Sequence, residues 1–171
     1  MAVANTKSTV VTNADALDGT KTAAFIAGGN VKRVSGTVET AAADDAASVY
    51  RLVRVHSSWV ISKVLLAHDA ITNMSTADVG VYDIATVNSG AVVSVNHFGS
   101  AIDISSASAG FVDRTYEATA TDISKVDKQL WERLALSSDP NKWYDIAVTA
   151  TTNDPTAAGT ISMIVEYVSN Q

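Results

Sequence analysis

Residues that could carry out catalysis or bind a metal are scattered along this 171-residue chain. The three histidines, His56, His68 and His97, fall in separate segments, and none has a second ligand at the spacing of His-x-His or His-Glu-x-x-His. His68 and Asp69 could join later aspartates in a carboxylate–imidazole cluster, but positions at strand ends and in a loop favour solvated side chains. Cysteine is absent, which excludes thiolate metal ligands, thiolate nucleophiles and disulfides. We therefore predict no metal ion and no cofactor.

Motifs for nucleophilic catalysis and phosphate binding are also missing. There is no Gly-x-Ser-x-Gly elbow, and the abundant serines and threonines are typical of exposed strand faces. Gly28 and Gly29 precede a predicted strand and not a helix, so they indicate a turn or hinge in place of a phosphate-binding loop. No two of the eighteen Asp and Glu residues are marked out as a glycosidase pair. The sequence thus predicts no catalytic residues and a protein that is not an enzyme.

The charge pattern restricts the partners. The net charge is −6 and the isoelectric point about 4.8, which argues against a general nucleic-acid-binding surface. Residues 1–63 hold seven Lys and Arg against five Asp and Glu, whereas residues 64–171 hold five against thirteen. This asymmetry is either ordinary surface scatter or a basic face that docks on an acidic partner. The candidates for a basic patch across neighbouring strands are Lys32, Arg33, Arg51, Arg54 and Lys63.

No segment is predicted to enter a membrane. The first thirteen residues lack the apolar core of a signal peptide, and no apolar run approaches the roughly 18 residues of a membrane span. We expect a protein that is made and used in a soluble, non-secreted setting, with neither nucleic-acid nor membrane partners.

The elements that must position these residues are mostly strands. Alternating apolar and polar residues are clearest near the end of the sequence, where Tyr144, Ile146 and Val148 share one face of a predicted half-buried strand. Similar patterns predict strands at residues 31–40, 48–56, 60–66, 76–84, 91–95, 111–118, 142–150 and 160–168. About eight short strands at this spacing predict a mainly β fold, an antiparallel β-sandwich of jelly-roll-like type.

One short helix is predicted within the sandwich. Val126, Leu130 and Leu134 are four residues apart, which places them on one stripe of a helix over residues 124–136. Asn96 is expected to cap a single helical turn over residues 96–101. The tryptophans Trp131 and Trp143 are predicted to lie in the core.

Residues 1–30 are predicted to form an extended N-terminal arm, and residues 31–171 the sandwich domain. The arm is rich in Ala, Thr, Asn and Asp, and its one sizeable apolar cluster, which includes Phe25 and Ile26, is its expected anchoring point. Trp59 follows a Ser-Ser turn, where an indole is an interface anchor, a sugar-stacking platform or a cap that folds back onto one end of the sandwich.

Several passages resemble structural proteins from the head-gene region of tailed bacteriophages. They are STADVGVYD at residues 75–83, NSGAVV at 88–93 continuing to Phe98 and Ile104, LWERL at 130–134, and the two strands within 142–168. The resemblance is to the small cement or decoration proteins with a jelly-roll-like fold, and it runs over most of the chain.

The resemblance implies a non-enzymatic protein that is made in the host cytoplasm and binds the outer surface of the capsid. Its implied partners are the major capsid protein, whose neighbouring subunits it staples, and other copies of itself in a dimer or trimer. The alternatives are a carbohydrate- or receptor-binding sandwich and a tail or head-completion protein. Our candidate partner-binding residues are Phe25, Ile26, Lys32, Arg33, Arg51, Arg54 and Trp59.

Overall fold

Eight strands form two antiparallel sheets of four strands each. The computed structural model describes residues 6–16, 18–116, 122–151 and 155–169. The strands are β1 Val31–Thr40, β2 Val49–His56, β3 Val60–His68, β4 Ala77–Asp83, β5 Val92–Ile102, β6 Val112–Asp113, β7 Trp143–Ala150 and β8 Gly159–Val168. Their orders are β1-β8-β3-β6 in one sheet and β2-β7-β4-β5 in the other. The predicted mainly β, antiparallel sandwich is confirmed.

The last two strands belong to different sheets. β8 lies between β1 and β3, and β7 lies between β2 and β4. β8 has the predicted alternation, with Ile161, Met163 and Val165 buried. β7 is buried at every position after Trp143, so the prediction that one of its faces is solvated is wrong. Its outer face is covered because arginines contact Asp145 and the Tyr82 hydroxyl bonds Thr149.

The core fills the space between the sheets, and one glycine lets their edges meet. Its largest fully buried apolar side chains include Phe98, Ile61, Leu66, Ile146 and Met163. At Gly36, β1 lies so close to β2 that an added Cβ would overlap the carbonyl oxygen of Leu52. Leu52 lies at the bulge where the pairing of β2 with β7 shifts register. A side chain at position 36 would therefore push the two edge strands apart.

A short helix is present within the sandwich as predicted, but it does not span residues 124–136. A 3-10 turn, Ile123–Lys125, and a one-turn helix, α2 Leu130–Arg133, take the place of the longer helix. The N-cap of α2 is Gln129, whose backbone N–H donates to the Glu132 carboxylate in a capping box. The N–H groups of Leu130 and Trp131 donate to the turn before β3 and not to a preceding helical turn. These tertiary hydrogen bonds outweigh the local helical pattern.

Two further local predictions are wrong. Residues 96–101, expected as a helical turn, are part of β5, because Phe98 and Ile102 reach the core while β5 pairs with β4. Trp143, expected in the core, is 44% exposed, and Trp131 is half-buried.

The arm is not extended throughout. It contains a short helix, α1 Thr9–Asp15, whose N-cap Ser8 accepts a hydrogen bond from the Val11 N–H. No residue of α1 is buried. None of the described helices is long and apolar enough to cross a membrane.

Candidate functional site

The arm contacts the sandwich through the turn that contains Phe25 and Ile26. The N–H groups of Ile26 and Ala27 donate to the Ala23 carbonyl, and Gly28 ends the turn at a φ of 103° that other residues rarely adopt. Gly29 then passes so close to Val168 that a Cβ would overlap the valine side chain. Gly29, which follows the apolar cluster with Phe25 and Ile26, is thus in contact with the last residue of β8.

An apolar groove lies beside this turn on the outer face of the β1-β8-β3 sheet. Its volume is about 310 Å³, and its apolar lining includes Phe25, Ile26, Val31, Val60, Val126 and Val168. Three of these valines share one row because Val31 and Val60 both lie opposite Val168 in the strand register. Ile26 is 37% exposed and Val31 is 61% exposed. The groove offers apolar surface to a partner without enclosing a small ligand.

Lys32 and Arg33 lie on β1 next to this groove. The Lys32 Nζ donates to the Ser169 Oγ at 2.7 Å. Arg33 is exposed on the outer face, opposite Glu166, which in turn lies opposite Lys63 of β3. The three charges form a row of cation, anion and cation across three strands.

Arg51 and Arg54 lie on the other sheet, where both bind Asp145. Arg54 Nε donates to Asp145 Oδ1 at 2.8 Å, and this hydrogen bond raises the pKa of Arg54. Arg51 donates to Asp145 Oδ2 at 3.2 Å and to the carbonyls of Asp83 and Gly90. The Arg51 side chain is 29% exposed and that of Arg54 is 55% exposed. Arg51 is therefore engaged in the fold, whereas Arg54 keeps surface for a partner.

The basic residues considered as one patch are thus divided between the two sheets. Lys32, Arg33 and Lys63 lie in the β1-β8-β3 sheet, and Arg51 and Arg54 lie in β2. Consecutive strands β1 and β2 do not pair with each other, so adjacency in the sequence did not produce adjacency in the sheet.

Trp59 folds back onto one end of the sandwich. Its ring stacks on Tyr167 with centroids 3.8 Å apart and planes 5° apart, and it meets the Trp143 ring edge-on at 5.3 Å. Its carbonyl accepts the Leu130 N–H at 2.9 Å, which ties the turn to α2. Because one indole face is covered by Tyr167, the packing supports the capping interpretation over a sugar-stacking platform.

Sequence reasoning missed the acidic residues that hold the basic ones. Asp145 is 7% exposed and receives both arginines, and Asp83 Oδ1 accepts a 2.7 Å hydrogen bond from Lys142 Nζ. That bond raises the pKa of Lys142. The available signal was a carboxylate within an otherwise apolar strand, since a buried charge requires a partner.

The histidines make separate local contacts. His56 Nδ1 lies 2.8 Å from the Ser58 Oγ, His68 Nδ1 lies 3.1 Å from the Asp69 carbonyl oxygen, and His97 is buried beside Phe98. Within the described ranges, no group of three or more His, Asp or Glu side chains is placed to hold a metal ion.

The fold is an antiparallel β-sandwich that also occurs in phage capsid structures. No family model matches the chain, and no curated protein matches it. One chain of the capsid of Ralstonia phage GP4 has a TM-score of 0.60 at 18% identity, covering 84% of this chain and 86% of that chain. One chain of the capsid asymmetric unit of cyanophage Pam1 has a TM-score of 0.50 at 18% identity, covering 82% and 86%. The resemblance predicted from the sequence is confirmed at the level of the fold.

Proposed function

We propose that this chain is a non-enzymatic structural protein of a phage virion that binds the outer capsid surface and staples neighbouring major capsid subunits. The observation that carries the proposal is the sandwich shared with a capsid chain of Ralstonia phage GP4 over 84% of this chain. Its partners are the major capsid protein and further copies of itself, and its place is the outer surface of the virion after synthesis in the host cytoplasm.

The arm supports the stapling role. α1 buries none of its residues, and its apolar Val10 and Val11 are 38% and 45% exposed. An arm of this kind can lie across a seam between two subunits while the sandwich sits on one of them. Ordering the arm costs conformational entropy, and many identical sites on one shell offset that cost through multivalency.

The outer face of the β1-β8-β3 sheet is the face we assign to the shell. It carries the arm turn with Phe25 and Ile26, the apolar groove, and Arg33. Lys32 lies beside Val31, at the end of β1 where the groove is. Arg54 and Trp59 stay as secondary candidates, while Arg51 contributes chiefly by holding Asp145.

Co-sedimentation tests the proposal. The full chain is mixed with capsids assembled from the major capsid protein of the same genome, and saturable binding is expected. Absence of binding to those capsids would overturn the function. A glycan array hit in a chain that does not bind capsids would support the carbohydrate-binding alternative, and a ring-shaped oligomer would support a tail or head-completion protein.

Deletion of residues 1–30 tests the role of the arm. We expect the deletion to abolish capsid binding and to leave the far-UV circular dichroism of the sandwich unchanged. The double variant Phe25→Ala, Ile26→Ala should weaken binding, whereas Val92→Ser, at an exposed site on β5 in the other sheet, should not. Equal binding by the truncated and full chains would show that the arm is not the staple.

A further inference from the structure

The structure leaves one long and regular sheet edge unpaired among the described strands. β1 ends its sheet and pairs with β8 in an unbroken register, from Val31 opposite Val168 to Thr40 opposite Gly159. The other edges are interrupted: β6 has two residues, β5 shifts register along β4, and β2 carries a bulge. Short strands and bulges are means by which proteins prevent edge pairing, and β1 has neither.

We propose that β1 pairs antiparallel with β1 of a second copy of this chain, about a twofold axis at Gly36. This pairing joins two β1-β8-β3-β6 sheets into one continuous eight-stranded sheet. It deepens the proposed function, because it names the surface through which two copies associate, and it can be tested without capsids.

Charge complementarity fixes the register. When the axis passes through Gly36, Arg33 of each copy lies opposite Glu39 of the other, so the pairing makes two ion pairs on the outer face. Both side chains are exposed, and the Glu39 carboxylate is held there by a 2.8 Å hydrogen bond from the Thr160 hydroxyl. Opposite charges placed directly across two strands stabilise their pairing.

The same register matches the remaining residues by face. Val34 of each copy lies opposite Val38 of the other, and Ser35 lies opposite Thr37. A slip of one residue would place outward residues against inward ones. A slip of two residues would keep the faces but set Arg33 opposite Thr37 or Ser35 opposite Glu39, and no cross-copy pair of opposite charges would remain.

The edge is also sterically open. The arm turn packs near Val31 and Val168, at one end of β1, and every second residue of the strand from Val31 to Glu39 is exposed in the described part of the chain. On the core side of Gly36, the Leu52 carbonyl of the same copy occupies the space that a side chain would fill. β1 is thus supported from the core side while its lateral edge faces outward.

Sedimentation equilibrium of the purified full chain tests this pairing. We expect a closed dimer, because pairing of identical edges about a twofold axis is self-limiting. Arg33→Glu should raise the dimer dissociation constant at least about tenfold, since two attractive pairs become repulsive. Glu39→Arg should do the same, and the double variant R33E/E39R should return the constant to within about threefold of wild type.

Lys63→Glu is the matched control. It makes the same change of charge on the same outer face, also opposite Glu166, but on β3, which is not an edge. Dimerisation of K63E should equal that of wild type. Amide hydrogen exchange of residues 31–40 should slow as protein concentration rises.

Three results would overturn the pairing: a monomer up to about 100 µM, a trimer, or a dimer insensitive to R33E. Any of these could occur while the full chain still binds capsids, so failure of the pairing and failure of the capsid-binding function are distinguishable. Conversely, a dimer that is weakened by R33E but does not bind capsids would support the pairing and refute the proposed function.

Discussion

His97 should make the sandwich acid-sensitive in a way that one substitution removes. Its side chain is 2% exposed on β5, with its ring edge-on to Phe98 at 4.7 Å between centroids. Burial, reinforced by the positive charges of Arg133 and Lys125, lowers its pKa from 6.5 to about 4. The folded protein therefore favours the neutral imidazole, whereas the unfolded chain takes up a proton at the ordinary pKa.

The sign and size of the effect follow from this difference. Above pH 6.5 both states are neutral at His97 and the free energy of unfolding is unaffected. Between about pH 6.5 and 4 only the unfolded state is protonated, and stability falls by about 1.4 kcal/mol per pH unit, or about 3 kcal/mol in all. Below the folded pKa both states are protonated and the loss stops growing.

Urea unfolding of the wild type and of His97→Gln at about pH 7 and pH 4.5 measures the effect. The stability advantage of wild type over the variant should be about 2 kcal/mol smaller at the lower pH. Carboxylates that titrate in both proteins cancel in this comparison. An advantage that does not change with pH, or an imidazole that titrates near 6.5 by NMR in the folded protein, would refute the reasoning.

Three other substitutions probe the packing described above. Gly36→Ala should lower the free energy of unfolding by about 1–3 kcal/mol in urea titrations, because the new methyl group meets the Leu52 carbonyl; the neighbouring exposed Ser35→Ala should change it little. Asp145→Ala should lower the free energy of unfolding by about 2 kcal/mol, because it leaves Arg51 and Arg54 without their shared carboxylate. The loss should be smaller than for a fully buried ion pair, because the Arg54 side chain is 55% exposed. A loss below about 0.5 kcal/mol would contradict the role of Asp145. Trp59→Ala should lower the thermal midpoint and abolish the near-UV circular dichroism band of the aromatic stack, and an unchanged band would show that the stack is not populated in solution.

The strands were largely predictable because apolar and polar residues alternate along them according to which face is buried. Val34 and Val38 of β1 and Ile161, Met163 and Val165 of β8 alternate as the sandwich requires. The pattern failed for β7, since Asp145 looks solvent-facing until its arginines are known. It failed again around Leu130, where the N–H groups of Leu130 and Trp131 donate to carbonyls in the turn before β3 and so decide the backbone conformation.

The candidate site was less predictable than the strands that carry it. Arg33 and Arg51 lie in consecutive strands, which suggests a shared face, yet β1 pairs with β8 and β2 with β7. Such pairings between distant segments are not encoded in local periodicity. Phe25 and Ile26 form an isolated apolar cluster in a polar arm, which predicts an anchoring point, and in the structure both residues line the apolar groove.

The pairing of β1 with β8 also dictates when this protein can fold. Thr37 and Ser162, whose hydroxyls lie 2.9 Å apart across the two strands, are separated by 125 positions in sequence. During synthesis β1 lacks its backbone hydrogen bonds to β8 until nearly the whole domain has left the ribosome. A topology dominated by such long-range contacts folds slowly and as one cooperative unit. The same strand, whose other edge we assign to self-recognition, is thus the strand of the sandwich that stays unpaired for longest during synthesis, and it most needs protection from premature association.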